Sequence, residues 1–113
     1  MKKVVNKTRG ATLVENLEIA DNPLSRAKGL LGRSGLPDGA GLLIIPCNNI
    51  HMFFMRFAID VVWVDRQNVV LGTINELKKW RVAFCFPARA VIELPPGRLR
   101  RIEVRKGDQL EIV

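Results

Sequence analysis

The sequence is poor in the residues that build metal and redox centres. It has one histidine, His51, and two cysteines, Cys47 and Cys85, that belong to no C-x-x-C pair. Zinc knuckles, disulfide scaffolds and thioredoxin-type motifs are therefore not expected, and both thiols should be free in a reducing compartment. No apolar stretch approaches the ~20 residues that span a bilayer. The basic N-terminus has no apolar segment behind it, so no signal peptide is read. The chain is accordingly expected in the cytoplasm, or as a mature form lacking a leader. Gly72, Gly97 and Gly107 form neither a G-x-G-x-x-G nor a G-x-x-x-x-G-K loop, so no nucleotide cradle is expected. Internal repeats, low-complexity tracts and linkers are also missing.

What is present is apolar and basic. Hydrophobic residues make up 48% of the 113 positions, enough for the core of one domain, residues 1–113. Lys and Arg number 18 against 11 Asp and Glu, a net charge of +7. That balance favours anionic partners. The excess is spread along the chain, with the densest patch at Arg98, Arg100, Arg101, Arg105 and Lys106.

Apolar runs of strand length recur between turn signals: Val4–Thr8, Thr12–Ile19, Gly41–Ile45, Ile50–Met55, Ala58–Val64, Val69–Leu77, Ala88–Leu94, Leu99–Val104 and Gln109–Val113. Asp65–Asn68 reads as a hairpin turn. Lys78–Phe86 is ambiguous. Asn22-Pro23 is a helix start, and Leu24, Ala27 and Leu31 give a helical stripe, which predicts one short helix over Pro23–Leu31 with Gly32 just past its end. The expected fold is mainly β, a sandwich or partly closed barrel of seven to nine short strands.

The densest information lies in Ile50–Asp65, which holds the only histidine, three of five phenylalanines and an Arg and an Asp in apolar surroundings. Ile59, Val61 and Trp63 alternate with Asp60, Val62 and Val64, so both faces are apolar and the strand should be central. A buried Asp60 needs an Arg or backbone N–H groups. Glu93, between Ile92 and Leu94, has the same character. Phe53, Phe54 and Phe57 near Arg56 have the composition of a base-stacking platform but sit in the most core-like stretch.

Several fragments together resemble the bacterial and archaeal family called domain of unknown function 192 (DUF192). They are Arg26–Arg33, Gly41–Ile44, His51–Asp60 running to Val64-Asp65, Val91–Leu94, Gly97 and Gly107-Asp108. The resemblance covers roughly residues 12–113 and departs at Leu31 and Ala58, where the family usually has Met and often Pro. It implies a compact mainly β domain and no established activity.

On a helix, Arg26, Gly29, Leu30 and Arg33 share one face, and two guanidiniums on a ridge can grip a carboxylate or phosphate. The functional expectation is a binding or accessory module. Its groove is rimmed by Arg26, Arg33, His51 and Arg56, with Asp60 and Glu93 beneath, and takes a polar or anionic ligand or a partner protein. No catalytic residue, metal or cofactor is assigned. The competing readings are acid/base catalysis by Asp60, Glu93 or His51, and weak nucleic-acid binding through the basic C-terminal patch.

Overall fold

A computed structural model describes residues 2–113; Met1, the first residue of the expected domain, lies outside them. The elements are β1 (Lys2–Asn6), β2 (Ala11–Ala20), α1 (Pro23–Lys28), β3 (Ala40–Ile44), β4 (Asn49–His51), β5 (Ile59–Val64), β6 (Val70–Leu77), β7 (Val82–Phe84), β8 (Ala90–Leu94), α2 (Arg98–Arg101) and β9 (Leu110–Ile112). Seven strands form one sheet in the order β6-β5-β8-β3-β2-β1-β9, and β4 and β7 form a separate two-stranded ribbon. β2 and β3 pair in parallel, so the segment carrying α1 is a crossover; the other pairs are antiparallel.

The sheet curls until its two edges meet. Val69 bridges Gln109, the Val70 amide donates to Asp108 O at 2.9 Å, and the Leu110 amide donates to Asn68 O at 3.0 Å. The result is the partly closed barrel expected from the strand pattern.

Side-chain alternation divides the apolar residues between the two faces of this sheet. Val62, Val64, Ile92, Leu94, Leu43 and Leu13 fill the concave side. Ile59, Val61, Trp63, Val91, Leu42 and Ile44 lie on the other side and pack with Ile50, Met52, Met55 and Leu30. Every residue of β5 and β8 is buried, as expected of central strands covered on both faces.

Local structure departs from the sequence expectations at three places, and β2 adds an irregularity of its own. The helix ends at Lys28, because Gly29 takes φ +47° and its amide bonds back to Ser25 O. Its start is as read, with the Asn22 side chain accepting from the Ser25 amide at 2.9 Å. Leu99–Val104 is not a strand: α2 occupies Arg98–Arg101, so the described residues hold two short helices. β4 covers Asn49–His51 only, and the turn that follows exposes Phe53 and Phe54 instead of burying them. In β2, register shifts against β1 break strict alternation, so Leu13 and Val14 are both buried while Glu15 and Glu18 stay in solvent.

Candidate functional site

α1, the Pro46–Asn49 turn, β4, Met52, Met55 and the outer face of β8 enclose an open cavity of about 710 Å³. Its size falls within the usual range for small-molecule sites, ~300–1,000 Å³. Part of the wall is apolar, from Leu30, Ile44, Ile50, Met52 and Met55. The charged groups on it are Arg26, Lys28, Arg66, Arg89 and Glu93, so four cations face one carboxyl.

Arg26 comes from α1. Its Nη1 donates to Pro46 O at 3.2 Å, whereas its Nε is buried with no hydrogen-bond partner. Few buried guanidinium nitrogens go unpaired, because desolvation without a hydrogen bond is unfavourable.

Glu93 is the other anomaly. In the sheet it stands opposite Leu42 on one side and Val61 on the other, which directs it to the cavity face. It is 6% exposed, and no side-chain hydrogen bond reaches its carboxyl among the described residues. Burial in this apolar setting pushes its pKa from the ordinary 4.5 to about 7. Cys47 is half-buried, with Sγ donating to Asn49 O at 3.0 Å. Burial raises its thiol pKa; the Asn49 contact opposes this, and the weaker effects of the Glu93 charge and of Arg26 act in opposite senses, raising and lowering it. Glu93 and Arg26 thus both act on the Cys47 thiol, and all three line one cavity.

His51 also lines the cavity but is exposed and stacks on Phe53, with ring centroids 5.1 Å apart. Three residues of the expected groove lie elsewhere. Arg33 pairs with Glu18 at 2.6 Å, because the helix stops at Gly29 and cannot carry it along the ridge. Arg56 is exposed in the turn after β4. Asp60 pairs in register with Leu94 and points to the concave face, away from Glu93. It is fully buried and accepts from the amides of Glu76 and Leu99, both at 2.8 Å. The two carboxyls therefore occupy opposite sides of the sheet and cannot share a proton-transfer task.

The basic C-terminal patch is largely neutralised. Arg98 is buried and donates to Leu13 O at 3.1 Å, Arg100 pairs with Glu76 at 3.0 Å, Arg101 pairs with Asp38, and Arg105 pairs with Glu103 at 2.8 Å. Of the five, Lys106 alone makes no ion pair among the described residues.

Comparison with known proteins agrees with the fold. The sequence model of DUF192, described as Uncharacterized ACR, matches residues 4–112. The chain belongs to this family. A UPF0127 protein of Thermococcus gammatolerans is 34% identical to this DUF192 domain over 111 residues, covering 93% of the chain and 71% of the relative. A UPF0127 protein of Pyrococcus abyssi is 33% identical over 119 residues, covering 98% and 97%. Two solved structures share the fold with TM-scores of 0.83. One, from Sinorhizobium meliloti 1021, is provisionally described as a transcription regulator; it is 20% identical and covered over 90% of its length, against 97% of this chain. The other, a protein of unknown function from Novosphingobium aromaticivorans, is 22% identical, with 97% of this chain and 82% of that one covered.

Sequence reasoning picked out Arg26, His51 and Glu93 but not Arg66 or Arg89, which reach the cavity from the β5–β6 turn and the loop before β8. It read Cys47 only as a free thiol outside any C-x-x-C pair. No local pattern links Cys47 to Glu93; they meet through the pairing of β8 with β3 and the turn after β3.

Proposed function

We propose that this DUF192 domain is a binding module whose cavity takes a small molecule with an anionic group and an apolar body. The observation that carries the reading is the unpartnered Arg26 Nε of a residue that lines the same cavity as the unbonded Glu93 carboxyl. A carboxylate or phosphate oxygen would satisfy the guanidinium, and a protonated Glu93 would donate a hydrogen bond to the same anion. The flexible side chains of Met52 and Met55 suit a variable apolar tail. Ionisation of Glu93 places a negative charge beside the ligand, so affinity should fall as pH rises through about 7.

The test is isothermal titration of hexanoate and hexyl phosphate into the full chain. Arg26→Ala should weaken binding at least tenfold, and Glu93→Gln should keep binding while removing its pH dependence. No measurable binding of either probe, or equal binding by Arg26→Ala, refutes the reading.

Acid–base catalysis has one observation in its favour: a carboxyl with a pKa of about 7 in an open cavity. It would rest on Glu93 with His51 and not on Asp60. Nucleic-acid binding through the C-terminal patch is less favoured, since the guanidiniums of that patch are paired with acids or carbonyls. The description of the Sinorhizobium protein bears on that protein, and the likeness to it extends to the fold.

A further inference from the structure

The ribbon of β4 and β7 presents a second surface, which meets the cavity at Phe86 and Arg89. Trp80, Val82, Phe84 and Phe86 alternate along and beyond β7, and all four are exposed, Trp80 by 59% and Phe86 by 73%. Val82 and Phe84 lie within β7, and Trp80 and Phe86 flank it in the turns on either side. Phe53 and Phe54, from the turn after β4, join its Trp80 end, with ring centroids 6.1 and 5.1 Å from Trp80. Six of the nine large apolar side chains exposed among the described residues gather here, so the patch is concentrated and not a random scatter. Phe54 and Trp80 have φ of 64° and 67°, an uncommon backbone state for bulky residues, and their rings stand in solvent.

Charge follows the same boundary. The ribbon with its flanking loops, residues 45–58 and 78–89, contains Arg56, Lys78, Lys79, Arg81 and Arg89 and no Asp or Glu. None of these five cations makes an ion pair among the described residues, in contrast to the C-terminal arginines. From this juxtaposition of a self-clustered aromatic row with unpaired cations and no carboxylate, we infer that the outer face of the ribbon docks on an anionic phospholipid surface. Aromatic rings settle at the boundary between headgroups and acyl chains, and Lys and Arg beside them are drawn to anionic headgroups. The ring packing favours lipid over single-stranded nucleic acid. Phe84 and Phe86 lie parallel at 5.4 Å and His51 and Phe53 at 5.1 Å. A base sandwiched between two rings needs about twice the ~3.4 Å stacking step, so these pairs have no room for one.

Sedimentation of the full chain with phosphatidylcholine vesicles, with and without phosphatidylglycerol, tests the inference. Binding should require phosphatidylglycerol, weaken as salt rises, and shift Trp80 emission to shorter wavelength. Trp80→Ser with Phe84→Ser should lower the vesicle-bound fraction at least tenfold, and Lys78→Glu with Lys79→Glu should do the same. Both variants should keep the parent urea midpoint, because these side chains pack against solvent. No binding to phosphatidylglycerol vesicles overturns the inference. So does equal binding to both vesicle types, binding of an oligothymidylate without vesicle binding, or a dimer that buries the row and is lost in Trp80→Ser.

Discussion

Asp60→Ala should destabilise the domain by about 3–5 kcal/mol, through lost backbone support and not lost chemistry. The carboxylate accepts two amide hydrogen bonds at 2.8 Å, one from Glu76 and one from Leu99. The first amide lies where β6 gains an extra residue against β5, the register passing from Ile59↔Leu77 to Val61↔Ile74, and Glu76 takes φ +53°. The second is near the start of α2, whose N-cap is Gly97 and supplies no side-chain cap. Asp60 therefore fills two local vacancies from a central strand. Hydrogen bonds to a charged acceptor are each worth ~1.5–3 kcal/mol, and alanine leaves both donors, at part-buried positions, without a side-chain partner. Asp60→Asn keeps one acceptor oxygen but sets an amide nitrogen against the second N–H, so its loss should be intermediate. Urea unfolding followed by far-ultraviolet circular dichroism and by the buried Trp63 measures the difference. At ~4 °C or more per kcal/mol for a domain of this size, the alanine variant should melt at least ~12 °C below the parent. Both variants within ~1 kcal/mol of the parent would refute this account and return Asp60 to the list of functional candidates.

Glu93 makes stability depend on pH. Its folded pKa of about 7 lies above its ordinary 4.5, so the folded state holds a proton that the unfolded state releases between those values. Stability should fall by about 3 kcal/mol as pH rises across that window and stay level above it, and Glu93→Gln should flatten the curve in urea titrations at several pH values. Gly41→Ala should cost about 1–3 kcal/mol by thermal melting, because the new Cβ would meet the two Val14 methyls at 2.9 and 3.0 Å. Thiol titration of the unfolded, unreduced protein should find both Cys47 and Cys85, and in the folded state iodoacetamide should modify Cys47 slowly, its thiol pKa being raised by burial. A parent-like midpoint for Gly41→Ala, or fewer than two titratable thiols, would contradict the packing and the redox state described.

The central strands were legible because both their faces are apolar, and α1 was legible at its start because Asn22-Pro23 is a local signal. α2 was not. Its anchor is Asp60, 39 residues away, which no window around Arg98–Arg101 contains. The ribbon was ambiguous for a different reason. Trp80, Val82, Phe84 and Phe86 alternate as a buried face would, and the pattern carries no record of whether another layer covers it. The site was half legible. Arg26, His51 and Glu93 share the cavity, but the separation of Asp60 from Glu93 follows from the cross-strand pairs Asp60↔Leu94 and Val61↔Glu93, which exist only once β5 and β8 are side by side.

The pairing of β1 with β9 also dictates when the sheet can form. Val4 faces Ile112, and Lys3 and Val113 exchange backbone hydrogen bonds at 2.9 and 3.0 Å. A ribosome therefore delivers the first strand more than a hundred residues before its outer neighbour. At ~5–20 residues per second, the free edge of β1 waits on the order of ten seconds. During synthesis, β2 can protect one side of that strand early, while the other stays open to any passing extended segment. Lys2 and Lys3 on this edge, both exposed, supply the charge that discourages such encounters until the last strand closes it.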